Sequence, residues 1–187
     1  MESKNQQEIF DLNKLKLIVG LGNVGREYEN TRHNIGFDFL DSISGNIKFE
    51  NTQKLKSLLL RKSMREQKFI LCKPTTLMNS SGEAVVLVSK YYNIEPNEIL
   101  VVHDDLDINL GSYKLHFAKG PKVHNGLISI ENRLGTNKFW RLRIGIDNRD
   151  VEYRNQIEPH DYVLSRFKSD EMKVVDEVIF KINEEVF

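Results

Sequence analysis

Residues 15–43, LKLIVGLGNVGREYENTRHNIGFDFLDSI, decide the fold of this chain. The apolar run at residues 15–21 predicts a buried β-strand, and it leads directly into glycines that are typical of a turn. A helix is predicted next, because apolar residues recur at helical spacing: Ile35, Phe39, Leu40 and Ile43. A buried strand that leads through a turn into an amphipathic helix indicates a domain of the α/β class.

Strand and helix patterns alternate through the rest of the chain, with no internal repeat and no low-complexity linker. Predicted strands cover residues 57–63 and 68–73, joined by a hairpin turn at residues 65–67, and then residues 99–103, 112–117 and 140–146. Predicted helices begin at Ser80, where Glu83 completes a capping box, at residues 125–134 before Gly135, and at Ser169 as an N-cap.

This order of elements predicts a single three-layer α/β domain at residues 14–187, in which helices flank a twisted, mixed and mostly parallel sheet. Residues 1–13 are polar and predict an N-terminal extension. The apolar run at residues 99–103 predicts a central strand that ends at Asp104. The alternation at residues 140–146 predicts a half-buried strand.

Composition excludes several classes of protein. At 187 residues and a formal net charge of zero, the chain suits one domain without an overall field that would select a partner. Residues 111–149 nevertheless hold eight Lys/Arg against two acids, a local charge of 8 − 2 = +6. Cys72 is the only cysteine, so an intrachain disulfide is impossible, and the histidines lack metal-site spacing. No apolar stretch approaches the roughly 18 residues of a membrane span, which predicts a cytoplasmic protein.

Polar side chains follow three of the predicted strands. Asn23 comes after the first strand, Met78 and Asn79 follow the strand at residues 68–73, and Asp104 ends the central strand. In open α/β sheets, ligands bind outside the carboxyl ends of the strands. If these strands are parallel neighbours, the sequence predicts that their polar ends meet in one crevice.

The glycines after the first strand leave a second interpretation open. Gly20, Gly22 and Gly25 fit a dinucleotide-binding turn, and Glu50 ends a strand-like run where a ribose-binding acid would fall. Such a fold requires a helix that starts within the glycines, whereas residues 26–30 are polar and carry no core-facing pattern. We therefore favour a tight turn, which is the commoner use of glycine.

Five tracts, in the same order, closely resemble the bacterial peptidyl-tRNA hydrolases. They are LIVGLGNVGREYENTRHNIGFDFLD at residues 17–41, KPTTLMNSSGEAV at 73–85, VVHDDLDINLG at 101–111, HNGLISI at 124–130 and FWRLRIGI at 139–146. The resemblance implies hydrolysis of the ester between a peptide and the terminal ribose of tRNA, which frees both from peptidyl-tRNA dropped during translation. It also implies a monomer that needs no metal, no cofactor and no obligate protein partner.

The residue types fit this reaction without a nucleophilic side chain. The chain has no GxSxG elbow, and Cys72 lies in an apolar strand, so water is the predicted nucleophile. One histidine, with an ordinary pKa of about 6.5, can serve as the base that activates this water. His33 matches the family's catalytic histidine and is the predicted general base. Asp104 matches the family's acid and is predicted to orient the ring.

Further matched positions predict the groups that bind the substrate. Amides that can bond a peptide main chain without bringing charge match the family's three asparagines: Asn23, Asn79 and Asn125. His124 matches the family's second histidine, which assists the peptide-side site and does not act as the base. Tyr28 and Met78 match crevice-lining positions, and core packing is the alternative for both.

The positive segment predicts contacts with tRNA phosphates. Lys114, Arg141 and Arg143 lie in it, and Lys114 and Arg143 match basic positions of the family. Phosphate contacts give affinity without reading sequence, which suits an enzyme that serves many tRNAs.

One loop departs from the family pattern. Residues 120–123, GPKV, stand where the family usually has glycines before the HNG tract, and proline and valine restrict the backbone. This difference keeps an alternative open, namely a non-catalytic RNA-binding protein that resembles the plastid splicing factors of the same fold. The presence of His33, Asp104 and the asparagines favours the enzyme.

Overall fold

A seven-stranded mixed sheet forms the centre of the molecule in the computed structural model, which describes residues 8–45, 47–121 and 123–187. The strands are β1 Leu17–Gly20, β2 Glu50–Thr52, β3 Ser57–Met64, β4 Gln67–Pro74, β5 Ile99–Asn109, β6 Tyr113–Phe117 and β7 Trp140–Asp147. Their order across the sheet is β2-β3-β4-β1-β5-β7-β6. The neighbours β4, β1, β5 and β7 pair in parallel, whereas β3 and β6 pair antiparallel to their neighbours. The predicted mixed and mostly parallel sheet is confirmed.

Helices cover both faces of the sheet. They are α1 Ile35–Ser44, α2 Ser81–Tyr92, α3 Asn125–Leu134, α4 Val151–Gln156, α5 Pro159–Leu164 and α6 Ser169–Val186. Side chains of α1, α5 and α6 form one apolar core with Ile18 of β1, while α2 and α3 form a second core with Leu17 and Val19. Because successive residues of a strand face opposite sides, β1 contributes to both cores. The domain therefore has the three layers that the sequence predicts.

The predicted hairpin and the helix at residues 125–134 are also confirmed. The β3–β4 hairpin turns at Arg65 and Glu66, which both have positive φ angles, of 45° and 67°. Helix α3 ends before Gly135, whose φ of 71° is the left-handed cap that terminates many helices.

Two predicted helix starts are wrong in detail. Helix α2 begins at Ser81, and the side chain of Ser80 makes no capping hydrogen bond. Glu83 instead pairs with Lys56, at 2.6 Å, and the backbone N–H of Ser80 donates to the carbonyl oxygen of Leu77 at 2.9 Å. Helix α6 begins at Ser169 itself. The side chain of Glu171 accepts a hydrogen bond from the backbone N–H of Lys168, the residue before the helix, at 2.7 Å.

Strand β7 is buried along its whole length and is not half-buried as predicted. Its alternation is real, because Leu142, Ile144 and Ile146 face the first apolar core. The opposite face carries Arg141 and Arg143, which are also buried, each in an ion pair with a carboxylate. A polar face therefore does not imply exposure when its charges find partners.

Strand β5 continues past the predicted end at Asp104 to Asn109. The extension forms because β7 lies alongside, pairing Asp104 with Ile144 and Asp105 with Gly145. Asp104 is consequently held by β7 on one backbone edge, beyond the last pair of β1 with β5 at Val102, and is not a residue of a free turn.

The dinucleotide-binding interpretation is not supported by this architecture. Among the described residues, the first helix after the glycines is a short 3-10 turn at Arg26–Tyr28, and α1 starts only at Ile35. Glu50 lies on β2, which β3 and β4 separate from β1, whereas a ribose-binding acid would lie on a neighbouring strand.

Two glycines allow α1 to touch the end of β1. A Cβ atom on Gly20 would lie 2.2 Å from the carbonyl oxygen of Gly36, and one on Gly36 would lie 2.5 Å from the backbone of Leu21 and of Val102. Contacts this close to backbone atoms leave no room for a side chain. The approach places the residues that precede α1 directly over the carboxyl end of β1 and the adjacent middle of β5.

Replacing Gly36 with alanine is expected to lower the free energy of unfolding by about 1–3 kcal/mol, because the added methyl group must push the helix away from the sheet. Urea unfolding followed by circular dichroism measures the change. Ser42→Ala, at an exposed position of the same helix, is the control and should stay within about 0.5 kcal/mol of the parent. Equal stability of Gly36→Ala and the parent would contradict the close packing.

The predicted extension at residues 1–13 is described only in part, since residues 1–7 lie outside the described residues. Phe10 packs edge-on against Trp140, with ring centroids 5.0 Å apart, so this part of the extension contacts the domain. Within the described ranges, none of the helices has the length and apolar character needed to cross a membrane.

Candidate active site

His33, Asp104 and His124 converge beyond the carboxyl end of β1, beside the part of β5 that extends past it. His33 lies in a 3-10 turn at Arg32–Asn34, immediately before α1, and His124 lies immediately before α3. A single oxygen of Asp104, Oδ1, contacts Nδ1 of His33 at 2.8 Å and Nε2 of His124 at 3.0 Å. Three residues that are far apart in sequence therefore share one hydrogen-bonded group.

The contacts of the two rings assign their tautomers. His124 Nδ1 accepts the backbone N–H of Leu127 at 3.4 Å, so its proton is on Nε2, which donates to Asp104. His33 donates from Nδ1 to the same carboxylate, and this leaves Nε2 with a lone pair. His33 is thus arranged as a base, whereas His124 is engaged at both nitrogens.

Burial and the shared carboxylate shift the pKa values of this group. Burial favours the neutral form of His33, but the charge and hydrogen bond of Asp104 outweigh it and raise the pKa above the ordinary 6.5. Burial of Asp104 favours its neutral form, yet the two histidines lower its pKa well below the ordinary range. Asp104 is therefore a carboxylate at neutral pH, and His33 is a stronger base than a free histidine.

A third histidine lies behind this group. His103 is fully buried, its Nδ1 lies 2.7 Å from the carbonyl oxygen of Asp104, and its ring contacts that of His124 edge-on at 4.9 Å. Burial, and then the proximity of His124, lower its pKa well below 6.5. A neutral His103 adds no positive charge that would compete for Asp104.

A cleft of about 790 Å³ opens beside the catalytic candidates. His33, Asp104, His124 and Asn125 line it, and helices α4 and α5 form part of its wall. Cationic side chains on this wall include Arg149 and Arg154, which both pair with Asp147 at 2.9 Å. A cleft of this volume holds a ligand of the size of a nucleoside or a short peptide.

Asn23 is oriented by three hydrogen bonds. Its Oδ1 accepts the backbone N–H of Met78 at 2.8 Å, and its own backbone N–H and carbonyl bond the side chain of Asn34 at 2.8 and 2.9 Å. Because Oδ1 is already an acceptor, the Nδ2 amide is the part of this side chain left to donate to a ligand. Asn34 directly follows His33, so the same turn positions both residues.

The remaining predicted substrate-binding residues differ in their exposure. Asn79 and Asn125 are exposed, in the 3-10 turn at Met78–Ser80 and at the start of α3 respectively. Tyr28 is half-buried in another 3-10 turn and does not line the cleft. Met78 is 5% exposed and packs in the second core, and its backbone N–H donates to Asn23 Oδ1.

The three residues predicted to contact phosphates are not equivalent. Lys114 is exposed on β6. Arg141 pairs with Glu131 at 2.9 Å and Arg143 with Asp105 at 2.7 Å, and both arginines are buried. The two pairs cancel most of the charge that these arginines would bring to a surface.

The sequence did not predict four residues that shape the site. They are Asn34, which holds Asn23, and three residues of the cleft wall: Arg149, Arg154 and His160. One signal was available, because Arg149 follows the end of β7 in the way that Asn23 follows β1. No comparable signal marks Arg154 and His160, since their place in the wall depends on how α4 and α5 fold back.

The group of His33, Asp104 and His124 is also the one cluster of three metal-ligating side chains in the described ranges. Its ligand atoms lie within 4.8 Å of one another, and two imidazoles with a carboxylate suit a divalent transition metal. The hydrogen-bonded arrangement uses the same nitrogens that such a metal would need. Turnover in the presence of a chelator separates the two arrangements.

Known proteins match both the sequence and this architecture. The peptidyl-tRNA hydrolase family model matches residues 17–186 of the chain. The chain belongs to the peptidyl-tRNA hydrolase family. A peptidyl-tRNA hydrolase from Staphylococcus aureus strain JH9 is 42% identical over 166 residues, which are 88% of this chain and 85% of that protein. The crystal structure of peptidyl-tRNA hydrolase from Acinetobacter baumannii is 37% identical, with a TM-score of 0.80 over 91% of this chain and 86% of that chain.

Membership of the peptidyl-tRNA hydrolase family confirms the resemblance that the five tracts indicated. A second solved structure, a complex of peptidyl-tRNA hydrolase with n-propanol, matches equally well, with 37% identity and a TM-score of 0.80. The family match covers the 3-10 turn at Arg32–Asn34, β5 and the residue before α3, which carry the three converging side chains.

Proposed function

We propose that this chain hydrolyses the ester between a peptide and the terminal ribose of tRNA, with water as the nucleophile and His33 as the general base. The observation that carries the proposal is the hydrogen bond of 2.8 Å between His33 and Asp104 beside a cleft, in a member of this family. Peptidyl-tRNA dropped by stalled ribosomes is the proposed natural substrate.

In the proposed reaction His33 Nε2 takes a proton from water as its oxygen attacks the ester carbonyl carbon. The imidazolium that forms is stabilised by the charge of Asp104 on the opposite ring nitrogen. The tetrahedral intermediate then collapses, the bond to the ribose oxygen breaks, and His33 returns its proton to that oxygen. The products are a peptide with a free carboxylate and an uncharged tRNA end.

Asparagine side chains are proposed to hold the reacting ester and the peptide. The Nδ2 amide of Asn23 is left to donate because Met78 occupies its Oδ1, and a neutral donor suits an oxyanion in the transition state. Asn125 lines the cleft beside His124 and Asn79 is exposed, so both have amides available for a peptide main chain. Such contacts bind peptides of any sequence.

The proposal for tRNA binding depends on exposed lysines of the positive segment. Lys114 is one of them, whereas the charges of Arg141 and Arg143 are compensated by their acidic partners. An enzyme of many tRNAs needs affinity for the phosphate backbone more than recognition of bases.

We expect the affinity for tRNA to fall steeply with salt, because each neutralised phosphate releases counterions and contributes a slope of about −0.7 to −0.9 in a plot of log K against log salt. Filter binding or anisotropy between low and physiological salt measures this slope. Lys114→Gln should reduce it by about one phosphate's contribution. Lys181→Gln, which removes an exposed lysine of α6, is the matched control. A salt-independent affinity would rule out this use of the segment.

The test of the reaction is release of the acyl group from diacetyl-lysyl-tRNA by the pure chain, with a chelator present. Rapid, complete release supports a metal-independent hydrolase. Loss of activity with chelator would assign the His33 cluster to a metal, and tRNA binding without release would favour the non-catalytic RNA-binding alternative. Action as a monomer and a cytoplasmic location stay predictions, which sedimentation and fractionation can test.

A further inference from the structure

We propose that Arg32 is a positioning residue for His33, and that its buried pair with Glu171 of α6 transmits the position of the cleft wall to the base. This inference rests on the proposed role of His33. Its basis is a set of contacts that converge on one guanidinium group directly before His33 in the chain.

Arg32 is fastened to the C-terminal part of the chain by its backbone and by its side chain. Its backbone N–H donates to the carbonyl oxygen of Ser165 at 3.0 Å, and its Nε donates to the Ser165 hydroxyl at 3.2 Å. Nη2 contacts both carboxylate oxygens of Glu171 at 2.8 Å. Both members of the ion pair are 4% exposed, so solvent screens this pair little.

Two aromatic rings fix the plane of the guanidinium group. Its carbon lies 4.3 Å from the centre of the Tyr162 ring and 4.7 Å from that of Phe167. The planar, delocalised group of arginine suits a slot between two rings, and a lysine ammonium does not. The side chain therefore has little freedom to rotate, and the backbone at Arg32 is held with it.

The same network reaches the wall of the cleft. Glu171 also accepts from Asn148, and the Tyr162 hydroxyl donates to the backbone carbonyl of Ile146 at 2.9 Å. Arg149, which lines the cleft, stacks on the Tyr162 ring at 4.4 Å. Arg149 of the cleft wall and Arg32, which precedes His33, thus stack on the same ring, that of Tyr162.

Stability alone is a weak reason for such a pair. A buried ion pair commonly contributes no more to net stability than apolar residues of the same volume, because both charges must be desolvated. It does select one geometry, and His33 needs one geometry because Nδ1 must keep Asp104 while Nε2 faces the substrate. A shift of the turn at Arg32–Asn34 would move the base and, through Asn34, Asn23 as well.

The test compares Arg32→Lys with Val178→Ala, which removes packing from the buried face of α6 without touching the network. Arg32→Lys keeps the charge but loses the Nε hydrogen bond to Ser165 and the stacking on the two rings. We expect kcat to fall by about 10- to 100-fold while KM for peptidyl-tRNA stays within about threefold. The acid limb of kcat/KM should also move to lower pH, because a loosened contact with Asp104 raises the pKa of His33 less.

Val178→Ala should lower the unfolding midpoint at least as much as Arg32→Lys does. Its kcat and its pH profile should stay those of the parent. Should Arg32→Lys not fold, Ser165→Ala keeps Arg32 and its pair with Glu171 but removes the Nε contact, together with the hydrogen bond of 2.6 Å from the Ser165 hydroxyl to the Tyr162 carbonyl. It should shift kcat and the acid limb in the same direction. If the folded variant, Arg32→Lys or Ser165→Ala, keeps the kcat and the acid limb of the parent while His33→Ala is inactive, only the positioning role of Arg32 is overturned. An active His33→Ala variant would instead overturn the proposed function.

Discussion

Replacement of His33 by alanine is expected to lower turnover of peptidyl-tRNA by roughly 10²- to 10⁴-fold, the contribution that one general base typically makes. The variant keeps the cleft and the asparagines, so its affinity for tRNA should stay within a few fold of the parent. Single-turnover release of the acyl group, with tRNA binding measured separately, distinguishes loss of chemistry from loss of binding. The half-buried position of the ring means that its removal should leave the fold intact.

His160→Ala is the matched control for this experiment. His160 is exposed and lines the same cleft, but it makes no contact with Asp104 in the described structure. Its removal should leave turnover within a few fold of the parent. If the two variants are equally active, His33 is not the base and the cleft works by another mechanism.

Asp104→Asn is expected to reduce turnover by a similar factor, roughly 10²- to 10⁴-fold, because the neutral amide no longer stabilises the imidazolium that forms during attack. The amide can also present N–H to His33 Nδ1, which would favour the wrong tautomer of the base. His124 loses its charged acceptor in the same substitution, so the whole group is disturbed.

The pH dependence of Asp104→Asn gives a second, independent readout. His33 acts as a base only when neutral, so kcat/KM of the parent should fall as the pH drops through its raised pKa, which lies above 6.5. Without the carboxylate, burial remains and the pKa of His33 drops, so the acid limb should move to lower pH. Asp107→Asn, on an exposed residue of the same cleft, should leave the limb in place. If the acid limb of kcat/KM does not move in Asp104→Asn, a group other than His33 is responsible for it.

Some features on which both experiments depend can be predicted from the sequence, and others follow only from the folded structure. The tract at residues 17–41 carries the strand, the turn and the helix in its own periodicity, and the family's tracts carry His33 and Asp104. The end of β5 is different, because the sequence predicts that the strand stops at Asp104, whereas pairing with β7 extends it to Asn109. Local patterns depend on neighbours within a few residues, and strand length depends on the partner strand.

The positive segment shows the same division. Its net charge of +6 follows from composition, with eight basic residues and two acids. That Arg141 and Arg143 are buried against Glu131 and Asp105 depends on the packing of α3 and β5 on β7, which composition does not contain. The sequence therefore overstated the charge that these two arginines offer to a nucleic acid.

By itself, the sequence determined the α/β class, the family and the identity of the residues at the ends of the strands. Only the tertiary structure decided that His33 and His124 bond one oxygen of Asp104, that Met78 occupies Oδ1 of Asn23, and that Arg32, next to His33, pairs with Glu171 of α6. The reason is one of range. Periodicity and turn chemistry act along a few residues of chain, whereas the position of a proton depends on distances near 3 Å between residues that only folding brings together.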